Sequence, residues 1–141
     1  DVERSRGLGD VYKRQAKGLA VLPVFLLIFA IAALVLGLTE LTSNTATAAT
    51  FLPIMGGVAV GIGLTDASEM NVLLLAIPVA LSATCAFMLP VATPPNAIAY
   101  SSGYVTMGEM IKGGIWLNAI ALVLIALATY FLAVPVFGLV L

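Results

Sequence analysis

The chain has 141 residues, 62% of them hydrophobic and 9% charged, with a formal net charge of −1. Soluble domains carry about 25% charged residues, so this composition belongs to a membrane protein and excludes a basic nucleic-acid-binding surface. Histidine is absent and Cys85 is the single cysteine, which excludes a His-based zinc site, a Ser-His-Asp triad and an intrachain disulfide.

Of the six basic and seven acidic residues, eight fall in the first seventeen positions, leaving only Glu40, Asp66, Glu69, Glu109 and Lys112 beyond them. Residues 1–15 (DVERSRGLGDVYKRQ) show no apolar periodicity and lack the hydrophobic stretch of a signal peptide. They read as adapter-like sequence or a linker and are set apart from 16–141. The chain does not begin with Met and reads as a fragment of a longer protein.

Leu19–Leu38 is almost wholly apolar and has the roughly 20 residues a helix needs to cross about 30 Å of hydrocarbon. Pro23 falls near its start, where proline is best tolerated. Polar residues 39–50 follow, with Ser43-Asn44-Thr45 at their centre. The apolar run Phe51–Leu64 rises only about 21 Å as a helix, and reaches spanning length only if it starts back at Thr45. That puts Ser43-Asn44-Thr45 at a turn between two helices. Two placements of the turn remain open: a surface loop between spanning helices, or the tip of a re-entrant hairpin. The Gly57/Gly61 spacing suits close helix packing.

Thr65–Asn71 is a loop in which Asp66 or Ser68 can cap the next helix. Val72–Pro90 is apolar and runs into Pro90, Pro94 and Pro95, so the helix is predicted to break across Ala92–Asn96 and to restart from Asn96 toward Tyr100. Met107–Gly114 reads as a connector bearing Glu109 and Lys112. Ile115–Leu141 reads as a final span with Trp116 in the interface belt. Lys112 in that connector puts it on the cytoplasmic side by the positive-inside rule.

The two polar breaks carry the chemistry. Polar groups in hydrocarbon are costly without partners, so they mark a bundle interior or a solute path. Ser43, Asn44, Thr45 and Thr93 offer neutral hydroxyl and amide groups. Broken backbone offers carbonyl oxygens to Na⁺, and helices restarting after Asn44 and Pro95 offer N–H groups and a positive dipole end to a carboxylate. Taken singly, each break fits a packing kink. Together they favour the site of a cation-coupled anion carrier. Glu40, the one charge within the first break, reads as a hydrogen-bonded carboxylate tuning the site indirectly rather than as a proton or cation partner.

Here the motifs become specific. TELTSNTATAATFLPI (39–54) and CAFMLPVATPPNAIAYSSG (85–103) match the order and spacing of the C-terminal half of the divalent anion:sodium symporter family, which the chain resembles from about Lys17 to Leu141. The resemblance implies an all-α membrane protein holding part of a second inverted repeat: a re-entrant helical hairpin (19–64), a broken transmembrane helix (72–104) and a final transmembrane helix (115–141). It implies that Ser43, Asn44, Thr45, Thr93 and Pro94 bind substrate. It implies that Thr39, Thr42, Asn44 and Ala92 hold Na⁺, mostly through backbone carbonyls.

The implied function is secondary active import of dicarboxylates of the succinate, malate and fumarate class, coupled to Na⁺ by alternating access. The alternatives are a sodium-independent dicarboxylate exchanger, or a sulfate or citrate carrier of the same family. The implied setting is a multi-pass protein of the cell (inner) membrane, embedded in the lipid bilayer and homodimeric at full length, with no nucleic-acid partner and no enzymatic activity. The family's first repeat, with its own Ser-Asn-Thr hairpin, does not occur in this chain, so the expected site is one half of a pocket.

Overall fold

The computed structural model describes residues 23–141. The reading of residues 1–15 and the start of the first helix at Leu19 lie outside the described residues. Those residues form helices, helical turns and irregular segments, with no strand among them.

Helix α1 is described over Pro23–Thr39. Residues 40–43 turn the chain, and α2 (Asn44–Gly61) begins with Ser43 as its N-cap. The helix restart therefore falls at the Ser-Asn-Thr signature, as the length argument requires. Gly63, at φ 75°, takes the left-handed conformation that a Cβ disfavours, and it turns the chain out of α2. Two short 3₁₀ turns follow, Leu64–Asp66 and Glu69–Val72, the second capped by the Ser68 hydroxyl accepting from Met70 N–H. They lead into α3 (Leu73–Ala83).

The second apolar segment is interrupted, but the irregular stretch begins earlier than the expected break at Ala92–Asn96 and ends at Thr93. Helix α3 stops at Ala83, irregular backbone runs through residues 84–93, and Pro94 and Pro95 form the first turn of α4 (Pro94–Ser101). The prolines begin a helix rather than ending one. At the first helical positions the missing N–H would have had no partner, and the fixed φ already suits the helix. Thr93, extended at φ −143° and ψ 152°, caps this start.

The expected connector Met107–Gly114 is also helical. Helix α5 spans Met107–Ala128 and continues through a π-turn (Thr129–Ala133) and Val134–Phe137 to Gly138, at φ 62°. Its start is set by a capping box: Glu109 N–H donates to Thr106 Oγ1, and Thr106 N–H donates to the Glu109 carboxylate. The continuous Met107–Phe137 stretch is, among the described residues, the one helix long and apolar enough to cross a membrane.

Two apolar clusters hold these elements together. Ile31 and Val35 of α1, Met55 and Ala59 of α2, and Leu75, Val79 and Ala83 of α3 form the first. Ile28, Leu74, Ala126 and Leu139 form the second, joining α1 and α3 to α5 and the chain end. Buried Asn71 fastens that end: its amide donates to Leu64 O and Val140 O, and its oxygen accepts from Val140 N–H. Helix α3 thus sits between the α1–α2 pair and α5, and carries the irregular 84–93 segment toward the 40–43 turn.

Candidate functional site

The two polar signatures, some fifty residues apart, meet. A cavity of about 440 Å³ opens between the 40–45 turn and the end of the irregular segment. Thr42, Ser43, Asn44 and Thr45 line one side and Ala92, Thr93 and Pro94 the other, with Leu41 and Val91 completing the wall. All five residues expected to bind substrate lie on this wall, as do three of the four expected at Na⁺.

The fourth, Thr39, is fully buried behind it. Its hydroxyl has one proton for two acceptors, Asn44 Oδ1 at 2.8 Å and Ala83 O at 2.9 Å. One side chain therefore ties together the end of α1, the start of α2 and the end of α3. Thr42 Oγ1 donates to Leu38 O (2.9 Å) and contacts Thr47 Oγ1, which in turn donates to Ser43 O (3.0 Å). These bonds fix the turn by local hydroxyl-to-backbone contacts.

Both helix starts face the cavity, but they differ in what they offer. At α2, Ser43 Oγ accepts from Ala46 N–H at 3.5 Å. Among the described residues, the Asn44 and Thr45 N–H groups meet no acceptor. They join the Asn44 amide and the Thr45 hydroxyl as a set of neutral donors at a positive dipole end. At α4 the expectation of free N–H groups needs correcting. Pro94 and Pro95 have none, and Asn96 N–H is directed at Thr93 Oγ1 (3.4 Å). Helix α4 therefore contributes its dipole and the Thr93 hydroxyl, and direct backbone donation comes from α2. Among the described residues, no lysine or arginine lines the cavity, and Lys112 is the only cation.

The irregular segment is held by two side chains. Glu40 is 2% exposed, and its carboxylate accepts from three consecutive backbone N–H groups: Phe87 (2.8 Å), Met88 (3.1 and 3.2 Å) and Leu89 (3.2 Å). Asn118 Nδ2 of α5 adds a fourth donor at 2.6 Å. Asn96 works from the other side, its amide donating to Ala86 O (3.0 Å) and Leu89 O (3.1 Å). Helix-free backbone leaves its N–H and C=O groups without ladder partners, and at membrane depth no water replaces them. Glu40 and Asn96 supply the missing partners. Sequence reasoning placed Glu40 at a helix break but missed the bracing role of Asn96 and the part played by Asn118. A lone asparagine inside an apolar helix was the available signal for Asn118.

The family model described as the sodium:sulfate symporter transmembrane region matches residues 5–139. The chain belongs to this family of membrane transporters, the divalent anion:sodium symporters that its motifs resemble. It is 40% identical over 132 residues to a sodium-dependent dicarboxylate transporter, SdcS, of Staphylococcus saprophyticus, covering 94% of this chain and 24% of that protein. It is 44% identical over 100 residues to the protein of the same name in Staphylococcus aureus strain MRSA252, covering 71% of this chain and 18% of that protein. The chain thus spans about a quarter or less of the length of the curated relatives it matches.

Proposed function

We propose that this chain is the C-terminal part of a Na⁺-coupled dicarboxylate importer, and that the cavity between Asn44 and Thr93 is its half of the transport site. The observation that carries the reading is the convergence of both signatures, and of two helix starts, on one cavity that no basic side chain lines among the described residues. A dicarboxylate brought there meets neutral donors: the Asn44 and Thr45 N–H groups, the Asn44 amide, and the hydroxyls of Ser43, Thr45 and Thr93. Pro94 shapes the wall beside Thr93. Neutral donors and helix dipoles only partly offset two negative charges in a low-dielectric site. Co-bound Na⁺ supplies the remainder, which gives the coupling a physical reason.

Na⁺ is hard and prefers oxygen. The oxygens on offer are the backbone carbonyls around Thr39, Thr42 and Ala92, together with the Asn44 side-chain oxygen. In this reading 19–64 is a re-entrant hairpin, 72–104 a broken helix and the final helix a span, and the second repeat works by alternating access against the first. The complete carrier is multi-pass in the cell membrane and homodimeric. Both relatives are sodium-dependent dicarboxylate transporters, which supports this anion over sulfate.

The test is uptake of labelled succinate by the complete carrier in proteoliposomes. Asn44→Ala and Thr93→Ala, each removing a polar group from the wall, are expected to lower Na⁺-dependent uptake by about ten-fold or more. Undiminished uptake in both variants would sink the site. Uptake that persists when Na⁺ is replaced by choline would make the protein an exchanger. Full inhibition by sulfate at concentrations comparable to succinate would change the substrate class.

A further inference from the structure

We propose that Gly114 and Asn118, on the inner face of α5, are positioning residues that set the affinity of the transport site through Glu40 and the 87–89 backbone. The inference rests on the carrier reading above and deepens it. Neither residue lines the cavity.

The two are four residues apart and therefore lie on one face of the helix, one turn from each other. Both are buried, whereas Ile115, Trp116 and Leu117 between them are exposed. A Cβ at Gly114 would stand 2.6 Å from Phe87 O and 2.6 Å from Met88 Cα. Both atoms are backbone and cannot rotate aside, so only glycine lets α5 come this close to the irregular segment. One turn on, Asn118 Nδ2 donates to Glu40 Oε1 at 2.6 Å.

The same Oε1 accepts from Phe87 and Met88 N–H, so α5 grips the segment directly at residue 114 and through Glu40 at residue 118. From there the path to the site is short. Leu89 O accepts from both Asn96 Nδ2 and Ala92 N–H, and Asn96 N–H is directed at Thr93 Oγ1. The position of the Thr93 hydroxyl is thus set by a chain of backbone and carboxylate bonds anchored on α5. Among the described residues, the buried Asn118 Oδ1 meets no hydrogen-bond partner. An apolar residue would avoid that cost, so the donor to Glu40 must outweigh it.

The experiment measures uptake kinetics in the complete carrier, per carrier reaching the membrane. Asn118→Ala is expected to raise the apparent KM for dicarboxylate and for Na⁺ about ten-fold or more while Vmax changes less than about two-fold, the scale of one lost charge-assisted hydrogen bond. Asn118→Asp keeps the volume but sets a carboxylate against Glu40, so its KM should rise further than that of the alanine variant. A residue that merely filled space would show the reverse order, and that order, or an unmoved KM in both, overturns the proposal.

Should the aspartate variant fail to reach the membrane, Asn118→Thr and Asn118→Val, matched in size, take its place. A higher KM for valine supports the proposal and equal values overturn it. Gly114→Ala should raise KM in the same sense. Asn44→Ala, run in parallel, separates the two readings. If it abolishes uptake while the Asn118 variants keep wild-type KM, only this inference fails. If it and Thr93→Ala both leave uptake intact, the carrier site itself fails.

Discussion

Glu40 is buried, and hydrogen-bond donors from two distant parts of the chain meet its side chain. Three successive backbone N–H groups and the Asn118 amide share its two oxygens. This favours the role of a bracing acceptor over that of a proton or cation partner. Glu40→Gln puts the two readings in conflict. The swap is isosteric, but it turns an NH₂ group toward N–H groups that previously found an oxygen. It should lower stability by about 1–3 kcal/mol, the cost of a buried donor left unmet. Thermal unfolding of the complete carrier in detergent reads this directly. Unchanged stability with transport lost would instead mark Glu40 as a partner of the moving ion. The sequence placed Glu40 beside the Ser-Asn-Thr turn. It did not reveal donors 47 to 49 residues further along, because backbone N–H groups leave no trace in side-chain identity.

At the scale of elements, the predicted boundaries failed where capping decided them. The double proline points to a helix break with a restart from Asn96, and in the fold Pro94 and Pro95 themselves begin the helix, with Thr93 as cap. Glu109 and Lys112 suggest a loop by their charges, yet Thr106 and Glu109 form the capping box that opens α5. Both cases follow from the unmatched N–H groups of a first helical turn: proline removes them, and a capping box satisfies them. Thr106→Ala should cost about 1 kcal/mol of local stability. Hydrogen exchange should quicken at the amides of residues 107–110 and stay unchanged beyond residue 115. Equal protection in both variants would mean that packing, not the cap, holds this end. The elements that were legible are those marked by length and apolar runs: α1, the start of α2 and the body of α5.

For the molecule as a whole, the outer face of α5 needs apolar surroundings. Trp116 is 73% exposed, and Ile120, Val123 and Leu124 lie open beside it. A contiguous apolar face of this kind implies lipid or further protein against it. A charge at its middle should oppose insertion. Leu124→Arg is expected to disfavour membrane insertion of Met107–Phe137 by about 2.5–3.5 kcal/mol on translocon scales. Glycosylation mapping in microsomes measures this, and equal insertion of both forms would rule α5 out as a span.

By itself the sequence determined the environment, the helical class and the two polar breaks, since each is written in local composition: charge too sparse for water, apolar runs of spanning length, and prolines and hydroxyls that interrupt them. Its motifs also carried the family resemblance. Only the tertiary structure decided that the breaks share one cavity, that α2 and not α4 carries the N–H groups without acceptors, and that α5 packs on the irregular segment at Gly114 and donates to Glu40 from Asn118. These are contacts between distant parts of the chain, made by backbone atoms and by the absence of a side chain. No local pattern of residues can encode them.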